Sequence, residues 1–223
     1  MNQTTGGHLQ TKRTALLAKR DQLLESFTTA ARASRSAKMR RICEGLRQTN
    51  EFLDTLNCIE TEAPARPSGH RYVVSSLFLH QCFRDLTADQ DEQFFFITGS
   101  EIEGQFVLDQ KAEFQHSKRS IIGVVGNMSA THRLLIRLEQ FGHRLLAHFH
   151  SHPGNGAAAT HPSGTDEGFQ RRLESAGYPT VAAIFSRDGY VRFFRLDQDL
   201  HIEIHGTGVE DLGKNVYRLT NLD

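Results

Sequence analysis

The sequence predicts an α+β fold, a mixed β-sheet flanked by helices, with a helical extension at its N-terminus. Three observations point there. Up to about Glu60, apolar residues recur at helical spacing. The stretch "TEAPARPSG" at 61–69 then breaks that pattern with two prolines and a glycine. Beyond it, short apolar strands mix with a few helices and no regular βαβ repeat. The expected organisation is a helical extension over 1–60 whose first residues, 1–10, are disordered, a linker over 61–69, and one domain over 70–223.

In the extension the apolar stripe runs through Leu16, Leu17, Leu23, Leu24, Phe27, Ala30 and Ala31. After a break at "ASRSAK" it resumes through Met39, Ile42, Cys43, Leu46, Leu53 and Leu56. Two amphipathic helices forming a hairpin are expected. Basic residues outnumber acidic ones between Lys12 and Arg47. That excess reads either as a solvated face or as a docking surface for a partner or a second copy of the chain.

After the linker, "RYVV" reads as a strand and "SSLFLHQCFRDL" as a helix. "EQFFFITG" is an apolar strand whose hairpin partner, "EGQFVLDQKAEF", lies across the turn "GSEIEG". "SIIGVVG" is a further strand, and "SATHRLLIRLEQFG" a helix with Ser129 as N-cap and Gly142 as its stop. "HRLLAHFH" and "TVAAIF" are strands around the helix "TDEGFQRRLESAG", which Gly177 closes. "SRDGY" makes a turn into "VRFFRL", and "LHIEIHG" follows. There is no internal repeat and no phosphate-binding glycine loop.

Composition restricts the setting. The 223 residues carry 26 basic and 26 acidic side chains, so no overall bias towards nucleic acid or another polyanion is expected. No apolar run approaches the ~20 residues of a membrane span. The N-terminus lacks the apolar segment of a secretory signal. Three well-separated cysteines, Cys43, Cys58 and Cys82, fit core packing in a reducing cytoplasm and no disulfide framework.

The informative stretch is "LLAHFHSHPGNGAAATHPSGTDEGF", from Leu145. Residues two apart on a strand point the same way, so His148, His150 and His152 share one face while Phe149 and Ser151 take the other. Neutral imidazoles at i and i+2 can converge on one small cation. Pro153 ends the strand, and "SGTD" places Ser163 at a helix N-cap with Asp166 in the first turn, a capping-box arrangement. A carboxylate held there can supply a third ligand. Two histidines, one carboxylate and an open position form the layout of a catalytic Zn2+ site rather than a closed structural one. His148 and His161 are read as non-ligands, with His148 the first substitute. The loop "GNGAAAT" reads either as a plain connector or as a place where an extended peptide could approach closely.

"HSHPGNGAAATHPSGTD" resembles the H-S-H-P…P-S-x-x-D signature of the JAMM (JAB/MPN) zinc metalloproteases. The resemblance spans roughly His70 to Leu196 and implies an MPN/JAB-type mixed β-sheet flanked by helices. It implies zinc on His150, His152 and Asp166, with Ser163 helping to stabilise an oxyanion. The family's upstream acid, in an E-x6-G pattern, corresponds to Glu92 with Gly99 closing the strand; Glu101 and Glu103 lie in the turn beyond. The loop between His152 and Ser163 is somewhat longer than the common eukaryotic form. The implied activity is hydrolysis of the bond after the C-terminal tail of a ubiquitin-like protein, in deconjugation or precursor processing. Similarity to prokaryotic members implies E1- and E2-like enzymes as companions, including those of antiphage conjugation systems, and the helical extension offers a route to homo-oligomers. The alternatives are a catalytically silent MPN scaffold and a DNA-repair-associated branch, which typically carries H-N-H-P where this chain has Ser151.

Overall fold

The computed structural model describes residues 5–32, 36–61, 69–102, 104–112, 144–197 and 199–222. The expected strand "SIIGVVG" and the helix from Ser129 to Gly142 lie outside the described residues. The chain divides into two compact units, Met1–Pro67 and Ser68–Asp223, with the boundary inside the proline-containing segment.

The first unit holds helices α1 (Thr5–Arg32) and α2 (Ser36–Thr61). Arg13 donates to Asn57 at 2.7 Å and Leu23 lies against Gly45, so the two run antiparallel. Helix α1 begins at Thr5, within the ten residues expected to be disordered. Leu9, Ala30, Ile42, Leu53 and Leu56 are buried apolar residues of this unit. The buried hydroxyls of Thr49 and Thr55 donate to carbonyls four residues back, which removes the cost of an unpaired polar group. Cys43 is exposed, contrary to the core position expected from its stripe, whereas Cys82 in the second unit is buried. Cys58 is outside the described side chains.

In the second unit, β1 (His70–Ser75) leads straight into helix α3 (Ser76–Thr87), whose N-cap Ser75 accepts from the Phe78 amide. Strands β2 (Phe94–Ile102), β3 (Gln105–Ala112) and β4 (Arg144–Ser151) follow, then a 3-10 turn (Ala157–Thr160) and helix α4 (Gly164–Ser175). The chain finishes with β5 (Val181–Phe185), β6 (Tyr190–Phe194), β7 (Leu200–His205), β8 (Val209–Asp211) and β9 (Val216–Leu219).

These strands form one nine-stranded sheet in the order β7-β1-β3-β2-β4-β5-β6-β9-β8. Three pairings are parallel, β1 with β3, β1 with β7 and β4 with β5; the others are antiparallel. The sheet curls until it is nearly closed and barrel-like. Side chains bridge strands far apart in its order. Tyr217 on β9 donates to the Ile202 carbonyl on β7 at 3.2 Å, and Arg195, just after β6, donates to the Tyr72 hydroxyl on β1 at 2.9 Å. Arg195 is also held by both carboxylate oxygens of Asp197.

This architecture corrects the expectation of an MPN/JAB-type sheet flanked by helices. The physical reason lies in the last part of the chain, where β8 and β9 extend the sheet and its curvature lets strands cover one another. Sheet curvature thereby shares the core-covering work with helix α4, whose Phe169 packs with Phe96 and Leu145. Phe149 packs on Phe185 and Phe193 inside the sheet, on the side away from His148 and His150.

A second correction concerns Gly99. It does not close β2, which continues to Ile102, so Glu101 is a strand residue ion-paired with Arg144 at 2.6 Å rather than a turn residue. The β2–β3 register shifts between Thr98 and Gly99, and a Cβ at Gly99 would lie 1.8 Å from the Val107 carbonyl oxygen. Only glycine permits that approach.

Candidate metal centre

Strand β4 and helix α4 build the site between them. β4 is buried along nearly its whole length, with β2 and β5 as its neighbours, and so holds His148 and His150 rigidly. His150 projects on the same side as Phe94 and His148, whose rings stack at 5.7 Å. Phe169 of α4 meets the His148 ring edge-on at 4.8 Å and packs on Phe94 and Phe96, which seats the helix over this face.

Helix α4 starts with a complete capping box. The Ser163 hydroxyl accepts from the Asp166 amide, and Asp166 Oδ2 accepts from the Ser163 amide at 2.7 Å. This reciprocal pair aims the carboxylate at the histidines. Asp166 Oδ1 lies 3.2 Å from His150 Nε2, and Asp166 Oδ2 lies 3.4 Å from His152 Nε2. The two Nε2 atoms are 3.2 Å apart. One ligand atom from each of His150, His152 and Asp166 falls within 4.8 Å of the others, a group that could hold a metal ion.

His152 lies one residue past β4. Its Nδ1–H donates to the Ala159 carbonyl at 2.8 Å, from the 3-10 turn formed by the alanine run. With Nδ1 committed, Nε2 is the nitrogen turned to Asp166, where it can take up a second proton or a cation. Such an outer hydrogen bond fixes the ring and its tautomer, as in histidine metal sites generally. The Asp166 hydrogen bond raises the His152 imidazole above its ordinary range, against the opposing effect of burial. For Asp166, burial pushes the carboxyl up, but His150 and His152 outweigh it and hold the group well below the usual carboxylate range.

His148 is excluded from the group in a specific way. Its Nε2–H donates to Gln170 Oε1 at 2.9 Å, and Gln170 in turn donates to Glu174 and to the Thr180 carbonyl. Burial, followed by the neighbouring His150, pulls its pKa down to about 3, so it is a neutral packing residue. His161 is exposed beside Arg192, outside the cluster.

Glu92 and Ser163 are exposed and line the same open cavity of about 440 Å³ as His152 and Asp166. Glu92 directly precedes Gln93, whose amide donates to Ser151 Oγ at 3.0 Å and whose carbonyl accepts from the Ser151 amide at 3.1 Å. The structure thus brings all five candidate residues to one place: His150, His152 and Asp166 in mutual contact, Ser163 bonded to Asp166 as the helix cap, and Glu92 across the cavity. Ser163 accepts a hydrogen bond as the cap, which does not use the proton of its hydroxyl.

The site roles of Gln170, of the Ala159 carbonyl and of Arg187 were not read from the sequence, although Ser186–Gly189 was read as a turn. Gln170 is four residues after Asp166 and therefore on the same helix face, a signal that was present. Among the described residues, no helix is long and apolar enough to cross a membrane.

No protein-family model matches the chain, and no curated protein matches it. Among solved structures it is similar to the solution structure of protein DSY2949 from Desulfitobacterium hafniense, at 16% identity and a TM-score of 0.39, over 60% of this chain and 92% of that one.

Proposed function

We propose that this chain is a zinc-dependent amide hydrolase of the JAMM type, cleaving after the C-terminal tail of a ubiquitin-like protein. The observation that carries this reading is the convergence of His150, His152 and Asp166 beside a cavity also lined by Glu92 and Ser163. Function resides in the site rather than in the sheet that presents it, so the departure from an MPN sheet leaves the chemistry open to test.

The donor set fits zinc: two imidazoles and one carboxylate, buried or half-buried, one ring already fixed by Ala159. Zinc held by His150, His152 and Asp166 would supply a Lewis acid that makes water acidic enough to act near neutral pH. Glu92, at the rim, takes a proton from the attacking water and delivers it to the leaving amine. The Ser163 hydroxyl donates towards the oxygen that gains charge in the transition state. His148, Phe94 and Phe169 keep water from the back of the ligand face. No thiol is needed, in keeping with buried Cys82. The tail of a ubiquitin-like protein suits an open cavity, since only an extended chain must enter. A cytoplasmic setting with E1- and E2-like enzymes as companions follows from this substrate class.

Metal-replete protein should carry about one zinc per chain, and a chelator should abolish cleavage of a tail-linked ubiquitin-like conjugate before it unfolds the protein. Products should be an intact ubiquitin-like protein and a free amine by mass spectrometry. Absence of zinc in a folded protein would remove the metal reading. Bound zinc without cleavage would favour a silent scaffold.

A further inference from the structure

We propose that Arg187 is a positioning residue that fixes Glu92 at the rim of the cavity; the role rests on the reading of Glu92 as the base. Glu92 is exposed and lies outside regular structure, yet a proton-transfer group must be held to a fraction of an ångström to be effective. Its two neighbours in the chain are both anchored. On the C-terminal side Gln93 is tied through two hydrogen bonds to Ser151. On the N-terminal side the guanidinium of Arg187, from the β5–β6 turn, donates to the carbonyls of Thr87 (3.2 Å), Asp89, Gln90 (2.5 Å) and Asp91 (3.2 Å). A planar fork with several donors can gather four carbonyls in this way, and an ammonium group cannot reproduce it.

The same turn also holds the other side of the cavity. The Arg187 amide donates to the Gly154 carbonyl at 3.0 Å, two residues past His152. Asp188 Oδ1 accepts from the Gly156 amide at 2.8 Å and from Ser186 Oγ at 2.7 Å. Ser186–Gly189 is therefore a bracket that sets the segment leading to Glu92 and the segment following His152 in one frame. Because its main-chain bond to Gly154 survives side-chain replacement, the Arg187 side chain can be tested apart from the metal ligands.

The test uses the zinc-loaded full chain and a fluorogenic amide of a peptide ending in two glycines. Arg187→Ala should keep about one zinc, leave KM within twofold and lower kcat about tenfold or more, with Arg187→Lys in between. In the Glu92→Gln background, Arg187→Ala should cost no further kcat, since it acts through Glu92. Independently of activity, amide hydrogen exchange at Gln93 should quicken in Arg187→Ala while β4 stays protected. A slow Glu92→Gln beside an Arg187→Ala of wild-type kcat would overturn the positioning role alone, as would costs that multiply in the double variant or unchanged exchange at Gln93. A Glu92→Gln of full turnover would instead overturn the assignment of the base, and the role of Arg187 with it. Should Arg187→Ala not fold, Arg187→Lys carries the same comparisons.

Discussion

His150 and Asp166 are buried, each set by a regular element, whereas Glu92 and Ser163 across the same cavity are exposed and placed by loops and a helix cap. On the buried side Asp166 is held by the capping box and His150 by a strand paired on both edges, and the exposed side faces solvent and any incoming chain. The difference separates two tasks. Strand and helix preorganise the ligands, while the rim supplies groups that exchange protons and hydrogen bonds during turnover.

The sharpest way to break this comparison is His150→Ala. Losing a buried ligand should drop zinc from about one per chain to near none by elemental analysis and reduce cleavage at least ~10³-fold, with circular dichroism retained. Glu92→Gln should do the opposite on metal content. It keeps the shape and the zinc, and kcat should fall about 10²–10⁴-fold in steady-state kinetics. If both variants lose zinc, the two sides are not functionally separate.

Ser163 stands on the boundary and can be divided. Ser163→Ala loses the cap, about 1 kcal/mol, while Ser163→Gly loses only a few tenths. Both remove the hydroxyl, so both should lower kcat about 10²-fold if it faces the developing oxyanion. Thermal melts beside kinetics separate the two roles: a Ser163→Gly protein that is stable and slow assigns the hydroxyl to turnover.

The smallest expected effect is on the pH response of the buried side alone, in chelator-treated protein. The raised His152 contributes stability that is fully present below its ordinary value near 6.5 and is lost as pH rises through its folded value. The depressed Asp166 contributes stability present above its ordinary value near 3.8 and lost as pH falls towards its lower folded value. Tm without metal should therefore decline from mildly acidic pH towards pH 8, and zinc affinity should rise over the same interval as His152 sheds its proton. Calorimetry showing a flat Tm across that interval would remove the Asp166–His152 pair from the account.

The parts of the site legible in the sequence are those with local causes. Alternation along a strand brings His150 and His152 to one side, and the Ser163–Asp166 capping box is complete within four residues. Arg187 was not legible beyond a turn, because its carbonyl partners lie about a hundred residues upstream. Gly99 was read as a strand end when its cause is the close passage of Val107. The helices and most strands follow from periodicity, but β8 and β9 have three and four residues and carry too few repeats to register. Near-closure of the sheet depends on pairs such as Tyr217 with Ile202, which no local pattern announces.

That closure has a consequence for how copies of the chain behave when crowded together. An open sheet ends in strands whose unpaired amides and carbonyls invite a strand from another molecule, the usual route to aggregation. Among the described residues the terminal strands are β7 and the short β8, and the Ile202 carbonyl on β7 is already taken by the Tyr217 hydroxyl. One acceptor of that edge is thereby withdrawn from strand-to-strand growth, and Tyr217→Phe, which returns it to any passing chain, should make the protein more prone to fibre formation.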